Sequence, residues 1–181
     1  TAADLAPIRA ALIAAHKTGT TAFDASGDLA GLECKGGDNW STPPGADEIG
    51  LDAVASVPEM TDVGGTTLST DREGNWLSEQ SWFDVPLSQG TGGGVSNLFT
   101  RPEWQDHLDE PTAENRRLTP DIAAVSGPNT GVNIAFRQRI IAGGGTSLAT
   151  PIWAGIAAVM NQYLIEQDGT PLGDLNPLLY E

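Results

Sequence analysis

The stretch Gly143-Gly144-Gly145-Thr146-Ser147-Leu148-Ala149-Thr150-Pro151 puts a serine where a glycine turn becomes a helix. The glycines let the backbone turn tightly with no Cβ in the way. Pro151 is expected in the first helical turn, where its missing N–H costs nothing. Residues 152–166 then read as a long, mostly apolar helix. A serine at such a start has a backbone N–H without an intrahelical partner, near the positive end of the helix dipole. That is a good place to hold a developing oxyanion. The same pattern equally fits a Gly-rich loop with Ser or Thr as an ordinary helix cap.

A serine nucleophile needs a base for its proton and donors for the oxyanion. Histidine is the common base, and the chain has only His16 and His107. His16 lies near the end of the first helical stretch, where the dipole alone favours a histidine. His107 lies in the charged stretch 103–110. Both read as surface histidines. Asp28 ends a strand in Ala25-Ser26-Gly27-Asp28, the end at which α/β sheets place their sites. Protonated, its carboxyl donates a hydrogen bond as an amide would, and so can serve an oxyanion. The alternative is an Asp that caps a turn.

The elements that must position these groups follow from periodicity. Leu5, Ile8, Leu12 and Ile13 recur at helical spacing, and Gly19 is a plausible stop. Residues 20–25 read as a strand, and helix followed by strand suggests one unit of an α/β sheet. Residues 34–47 are loop; 51–57 read as a short strand or an irregular edge segment. Residues 62–68 form a second strand, and 75–83, with two tryptophans, are expected to pack over the sheet. Gly90-Thr91-Gly92-Gly93-Gly94 must approach something closely or turn sharply. A short helix is expected at 102–108, then a strand at 122–125, a turn, and a strand at 132–136. No internal repeat or domain boundary is visible, so 1–181 reads as a single domain.

At 181 residues the chain is of single-domain size. Hydrophobic residues at 39% and charged residues at 18% suit a globular fold. The net charge of -15 makes nucleic acid and anionic membrane surfaces poor partners. It is compatible with an acidic medium, where carboxylates are partly neutralised. Cys34 is the only cysteine, so no internal disulfide forms, and no metal-ligand spacing surrounds it. No cofactor is visible. No apolar run reads as long enough to span a membrane, and no signal peptide is visible at Thr1.

Several segments, in one order, resemble the sedolisin family of serine-carboxyl peptidases, relatives of the subtilisins. Ala25-Ser26-Gly27-Asp28 resembles its oxyanion motif, and Val63-Gly64-Gly65-Thr66-Thr67-Leu68 its next core strand. Gly92-Gly93-Gly94-Val95-Ser96-Asn97-Leu98-Phe99, with Arg101-Pro102 and Trp104-Gln105, resembles its next Gly-rich loop. Thr119-Pro120-Asp121-Ile122-Ala123-Ala124 resembles the following strand. Gly144-Gly145-Thr146-Ser147 with Thr150-Pro151 resembles the nucleophile motif, and Leu175-Asn176-Pro177-Leu178-Leu179-Tyr180 the segment after it. A true subtilisin is expected to carry Asn at position 28 and His at position 152, which here is Ile152.

The resemblance implies an α/β, partial subtilisin-like domain: a mostly parallel sheet flanked by helices, without the family's N-terminal strands. It implies a secreted acid endopeptidase acting on peptides or proteins. Ser147 is then the nucleophile, Asp28 the oxyanion donor, and Ala25, Ser26 and Gly27 line the substrate cleft. The family's base is a Glu oriented by an Asp on a helix well upstream. Residues 1–24 hold only Asp4 and Asp24, so the pair is absent and the chain alone is expected to be inactive. The acidic pairs Asp106/Glu110 and Glu110/Glu114 read as a solvated face. The calcium ion implied by the family belongs beyond Glu181. A preceding segment or partner chain is expected at the cut sheet edge. The alternative is a non-catalytic binding or scaffold member of the fold.

Overall fold

The computed structural model describes residues 1–35, 42, 45, 47–85, 88–108 and 115–181. Helix α1 (Ala6–His16) starts with Pro7 in its first turn, where no donor is lost. Its Ile8 and Leu12, with Leu5, pack on Val57, Met60 and Phe99. Gly19, at a φ of +80°, turns the chain away from the helix.

The chain then enters strand β1 (Phe23–Ala25), shorter than the expected 20–25. It runs parallel to strand β2 (Thr61–Thr70), pairing Asp24 with Asp62 and Ala25 with Val63. The far half of β2 pairs antiparallel with β3 (Trp76–Ser81). The segment expected to pack over the sheet therefore extends it. Trp76 is 66% exposed, and only Trp82, just past β3, is buried. Residues 51–57 are turns rather than a strand, because Asp52 Oδ1 accepts the Val54 and Ala55 N–H groups.

Two short antiparallel pairs follow: β4 (Phe83–Asp84) with β5 (Gln89–Gly90), and β6 (Gly94–Thr100) with β7 (Arg116–Thr119). The helix expected at 102–108 is a single 3₁₀ turn, Glu103–Gln105. Strand β8 (Ile122–Val125) returns to β2 in parallel, so β1, β2 and β8 form the parallel centre of the sheet. Strand β9 (Val132–Phe136) makes an antiparallel hairpin with β10 (Arg139–Gly143), which delivers the chain to the glycine turn. Helix α2 (Thr146–Glu166) then crosses β1, β2 and β8. A last turn, α3 (Asn176–Leu179), is tied to the core by Asn176, whose Nδ2 donates to the Pro58 and Met60 carbonyls.

Helix α2 corrects two expectations. It begins at Thr146, so Pro151 lies in its second turn, and the Ser147 carbonyl loses its helical donor. By length and composition it is also apolar enough to cross a membrane. In this fold it is the helix on the sheet, with Thr146, Ala149 and Ala157 buried and Trp153 Nε1 donating to the Ala123 carbonyl. Its later turns leave Val159, Met160, Tyr163 and Ile165 exposed. Among the described residues, one edge of β1 has no strand beside it.

Candidate active site

Strand β1 and helix α2 meet at their ends. After Ala25, the Ser26 N–H still bonds the Val63 carbonyl (3.0 Å), and then Gly27, at a φ of +105°, lifts the chain off the sheet. Asp28 follows on the freed turn. From the other direction, Gly145 adopts a φ of +88° and anchors its N–H on the Ser126 carbonyl at 2.6 Å. A Cβ at Gly145 would stand 2.6 Å from Asp28 Oδ2, so only glycine admits this approach.

The junction is closed by Thr146. Its N–H and its hydroxyl both donate to Asp28 Oδ1, at 2.7 and 2.9 Å. The same hydroxyl accepts the Gly27 N–H at 3.1 Å. Asp28 thus satisfies one of the orphan donors at the start of α2, although 118 residues separate it from Thr146. Asp28 is a cap, but of a distant helix rather than of its own turn. Ser147, the next residue, is exposed at the mouth of this junction, in the first turn of α2. Asp28 Oδ2 is turned toward Gly145, leaving that oxygen outside the Thr146 bonds.

Ala25 and Gly27 are half-buried beside the junction, whereas Ser26 is buried with its hydroxyl 3.5 Å from Thr91 Oγ1. Gly92 lies against this segment: its N–H bonds the Gly27 carbonyl at 2.8 Å, and a Cβ there would overlap the Ser26 carbonyl. The close approach expected of the second glycine run is therefore made to the Ala25–Asp28 segment.

His16 is not a surface histidine. Its side chain is 11% exposed, with Nδ1 3.7 Å from Asp174 Oδ2. His107 is exposed, edge-on to the Tyr180 ring. Among the described residues, neither bonds Ser147. Asp106 is exposed, while Glu110 and Glu114 lie outside the described residues. Cys34 is exposed on the 3₁₀ turn Glu33–Lys35, its thiol donating to the Leu51 carbonyl. Among the described residues no group of three or more His, Cys, Asp or Glu side chains could hold a metal ion. The calcium site that the resemblance implies is expected beyond Glu181, outside these residues.

Sequence reasoning missed Thr146 as the link and Glu33 as a neighbour of Asp28. Burial pushes the Glu33 carboxyl above its ordinary range, the Leu29 N–H opposes this, and the nearby Asp28 adds to it. The Gly-Thr-Ser pattern carried the only signal for Thr146, since a Thr before a helix is a common cap residue.

No family model matches the chain. Its fold and its relatives nonetheless define its class: the chain belongs to the sedolisin family of serine-carboxyl peptidases, with their subtilisin-like α/β fold. It is 33% identical over 185 residues to kumamolisin of Bacillus sp. (strain MN-32), covering 99% of this chain and 31% of kumamolisin. It is 36% identical over 144 residues to sedolisin of Pseudomonas sp. (strain 101), covering 77% of this chain and 24% of that protein. The solved structure of Pseudomonas sedolisin, complexed with two molecules of pseudo-iodotyrostatin, superimposes with a TM-score of 0.78 at 29% identity. That match covers 98% of this chain and 48% of the sedolisin chain. The chain spans about a third of the length of the curated relatives it matches.

Proposed function

We propose that the chain is the later part of the catalytic domain of an acid endopeptidase, with Ser147 as nucleophile and Asp28 as oxyanion donor. The observation that carries this is the junction of β1 and α2. It sets an exposed serine in the first turn of a helix whose N-terminus is tied to Asp28 through Thr146.

In this mechanism Ser147 Oγ attacks the scissile carbonyl carbon and passes its proton to a carboxylate base. That base is a Glu oriented by an Asp, supplied by sequence outside this chain. The carbonyl oxygen becomes an oxyanion between the Ser147 N–H and protonated Asp28 Oδ2. Asp28 Oδ1 stays occupied as acceptor of the Thr146 donors. The protonated base gives its proton to the leaving amine, and the C–N bond breaks. Water then hydrolyses the acyl-enzyme by the same route. A carboxylate base works where its pKa lies near the operating pH, hence in acid. Ala25 and Gly27 line the side of the cleft facing the residue before the scissile bond. Ser26 contributes through its backbone, its side chain being buried. The unpaired edge of β1 and the exposed later turns of α2 are covered by the segment that carries the base. Secretion into an acidic medium accords with the net charge of -15.

The test compares the parent polypeptide with its Ser147→Ala variant at about pH 4, on peptide substrates. Loss of about 10⁴-fold or more in kcat is expected, by analogy with other serine nucleophiles. Undiminished hydrolysis in the variant overturns the assignment. The 181-residue chain alone is expected to be inactive, and Ser147-dependent hydrolysis by it would overturn the missing base.

A second reading, a non-catalytic binding member of the fold, is favoured by one observation. Among the described residues no carboxylate or histidine bonds Ser147. A helix in the parent reading frame with Glu and Asp one turn apart, upstream of Thr1, decides for the enzyme.

A further inference from the structure

Glu33 stands on the 3₁₀ turn just beyond Asp28, and its side chain runs back beneath the turn that presents Asp28. Its Oε1 accepts the Leu29 N–H at 2.9 Å. Its stem fills the space that Gly27 leaves free, since a Cβ at Gly27 would overlap Glu33 Cγ. Gly92 closes the slot from the neighbouring segment, where a Cβ would stand 3.1 Å from Oε1. The backbone of the turn is clasped by Gly90, whose N–H bonds the Asp28 carbonyl at 3.0 Å, and by Gly92 on the Gly27 carbonyl. Within this clasp, Glu33 is the side chain that holds the turn's tip.

We propose that Glu33 is the positioning residue of the Asp28 turn: it fastens Leu29 and so aims the Asp28 carboxyl at Thr146. The proposal rests on Asp28 serving the reaction as the oxyanion donor. Glu33 Oε2 is buried with no partner among the described residues, and burial raises its carboxyl above the ordinary range against the opposing N–H groups of Leu29, Glu33 and Gly31. Leu29 needs only an acceptor there, which a neutral carboxyl or an amide supplies as a carboxylate does.

The conservative replacement is therefore Glu33→Gln, whose amide carbonyl still accepts from Leu29. Glu33→Leu keeps the bulk and removes the acceptor. The experiment is residue-resolved amide hydrogen exchange of the parent protein at acidic pH, read at Thr146, the amide that Asp28 holds. In Glu33→Leu, exchange at Thr146 is expected to speed up by about fivefold or more, the net worth of one hydrogen bond. Glu33→Gln should stay within about twofold of the parent. If Glu33→Leu does not fold, Glu33→Asp serves instead, being one methylene too short to reach Leu29. Unchanged exchange at Thr146 in the folded variant overturns the proposal. So does loss of Thr146 protection in Glu33→Gln.

Peptidase kinetics give the second readout. Glu33→Leu should lower kcat more than it raises KM, with Glu33→Gln restoring kcat. If the parent protein shows no Ser147-dependent hydrolysis, the functional reading fails, while exchange at Thr146 still decides whether Glu33 aims Asp28.

Discussion

Asp62 offers the sharpest test of the electrostatics. It lies in the middle of the sheet, 2% exposed, with Oδ1 lacking any partner among the described residues. Around it are Asp24 on β1, Arg117 and Thr119 on β7, Asp121 before β8 and, through Asp121, Tyr180. Arg117 is the cation of this group, and both its terminal nitrogens are committed to Asp121, at 2.8 and 2.7 Å. Of these two buried acids the guanidinium bonds only Asp121; its other bonds go to the Leu118 and Met60 carbonyls. Burial, then the Asp121 charge, push the Asp62 carboxyl well above its ordinary range; Arg117 and Thr119 oppose this.

The folded state therefore binds a proton that the unfolded chain gives up near an ordinary Asp pKa of about 3.9. Below that pH both states hold the proton and stability is unaffected. Above it, stability falls as pH rises, by up to about 1.4 kcal/mol per pH unit for this one proton. The fall stops once the folded-state pKa is passed. Asp24, Glu33 and Asp174 are raised as well, with burial the largest cause for each, and they tilt the curve the same way. The informative quantity is therefore the difference from Asp62→Asn, whose amide imitates the protonated acid. Urea unfolding should be followed from about pH 4 upward. The variant is expected to gain on the parent with rising pH, at a slope approaching one proton. A pH-independent difference would refute the assignment of that proton to Asp62.

Two further substitutions probe the junction and the core. Gly145→Ala combines a φ of +88° with a Cβ 2.6 Å from Asp28 Oδ2. It is expected to lower stability by about 1 kcal/mol or more and to release the Thr146 amide to exchange, both read in one exchange experiment. Asn176→Ala leaves the Pro58 carbonyl without its side-chain donor and the Met60 carbonyl with only the longer bond from Arg117. A loss of about 1–3 kcal/mol is expected, visible as a lower Tm, and an unchanged Tm would remove Asn176 from the framework.

The parts of the site with local signals were legible in the sequence. Gly145 before a long apolar helix, and Asp28 at a strand end, both sit where the chain pattern puts them. The link between them was not, because the capping carboxyl of α2 comes from the far end of the chain, and no local window contains both partners. For the same reason Pro151 was expected at the helix start. With Asp28 supplying a cap from a distance, the helix begins earlier and carries the proline inside it. Residues 51–57 read as a short strand or an irregular edge segment, and the aspartate at position 52 folds them into turns. In 75–83 the tryptophans suggested a cover, but Trp76 faces solvent on an added strand. Glu33 was passed over because a lone glutamate in a loop has no pattern. Only the glycines at 27 and 92, brought together by the fold, make its slot.

The bond from Thr146 to Asp28 closes a loop of 118 residues. Contacts of that sequence separation bear the greatest loop-closure entropy, and they are made late in folding. The junction therefore does not exist on a chain that has folded only its first helix and strands. On the proposed function, the serine stays unarmed until Asp28 and the start of α2, far apart in sequence, have found each other.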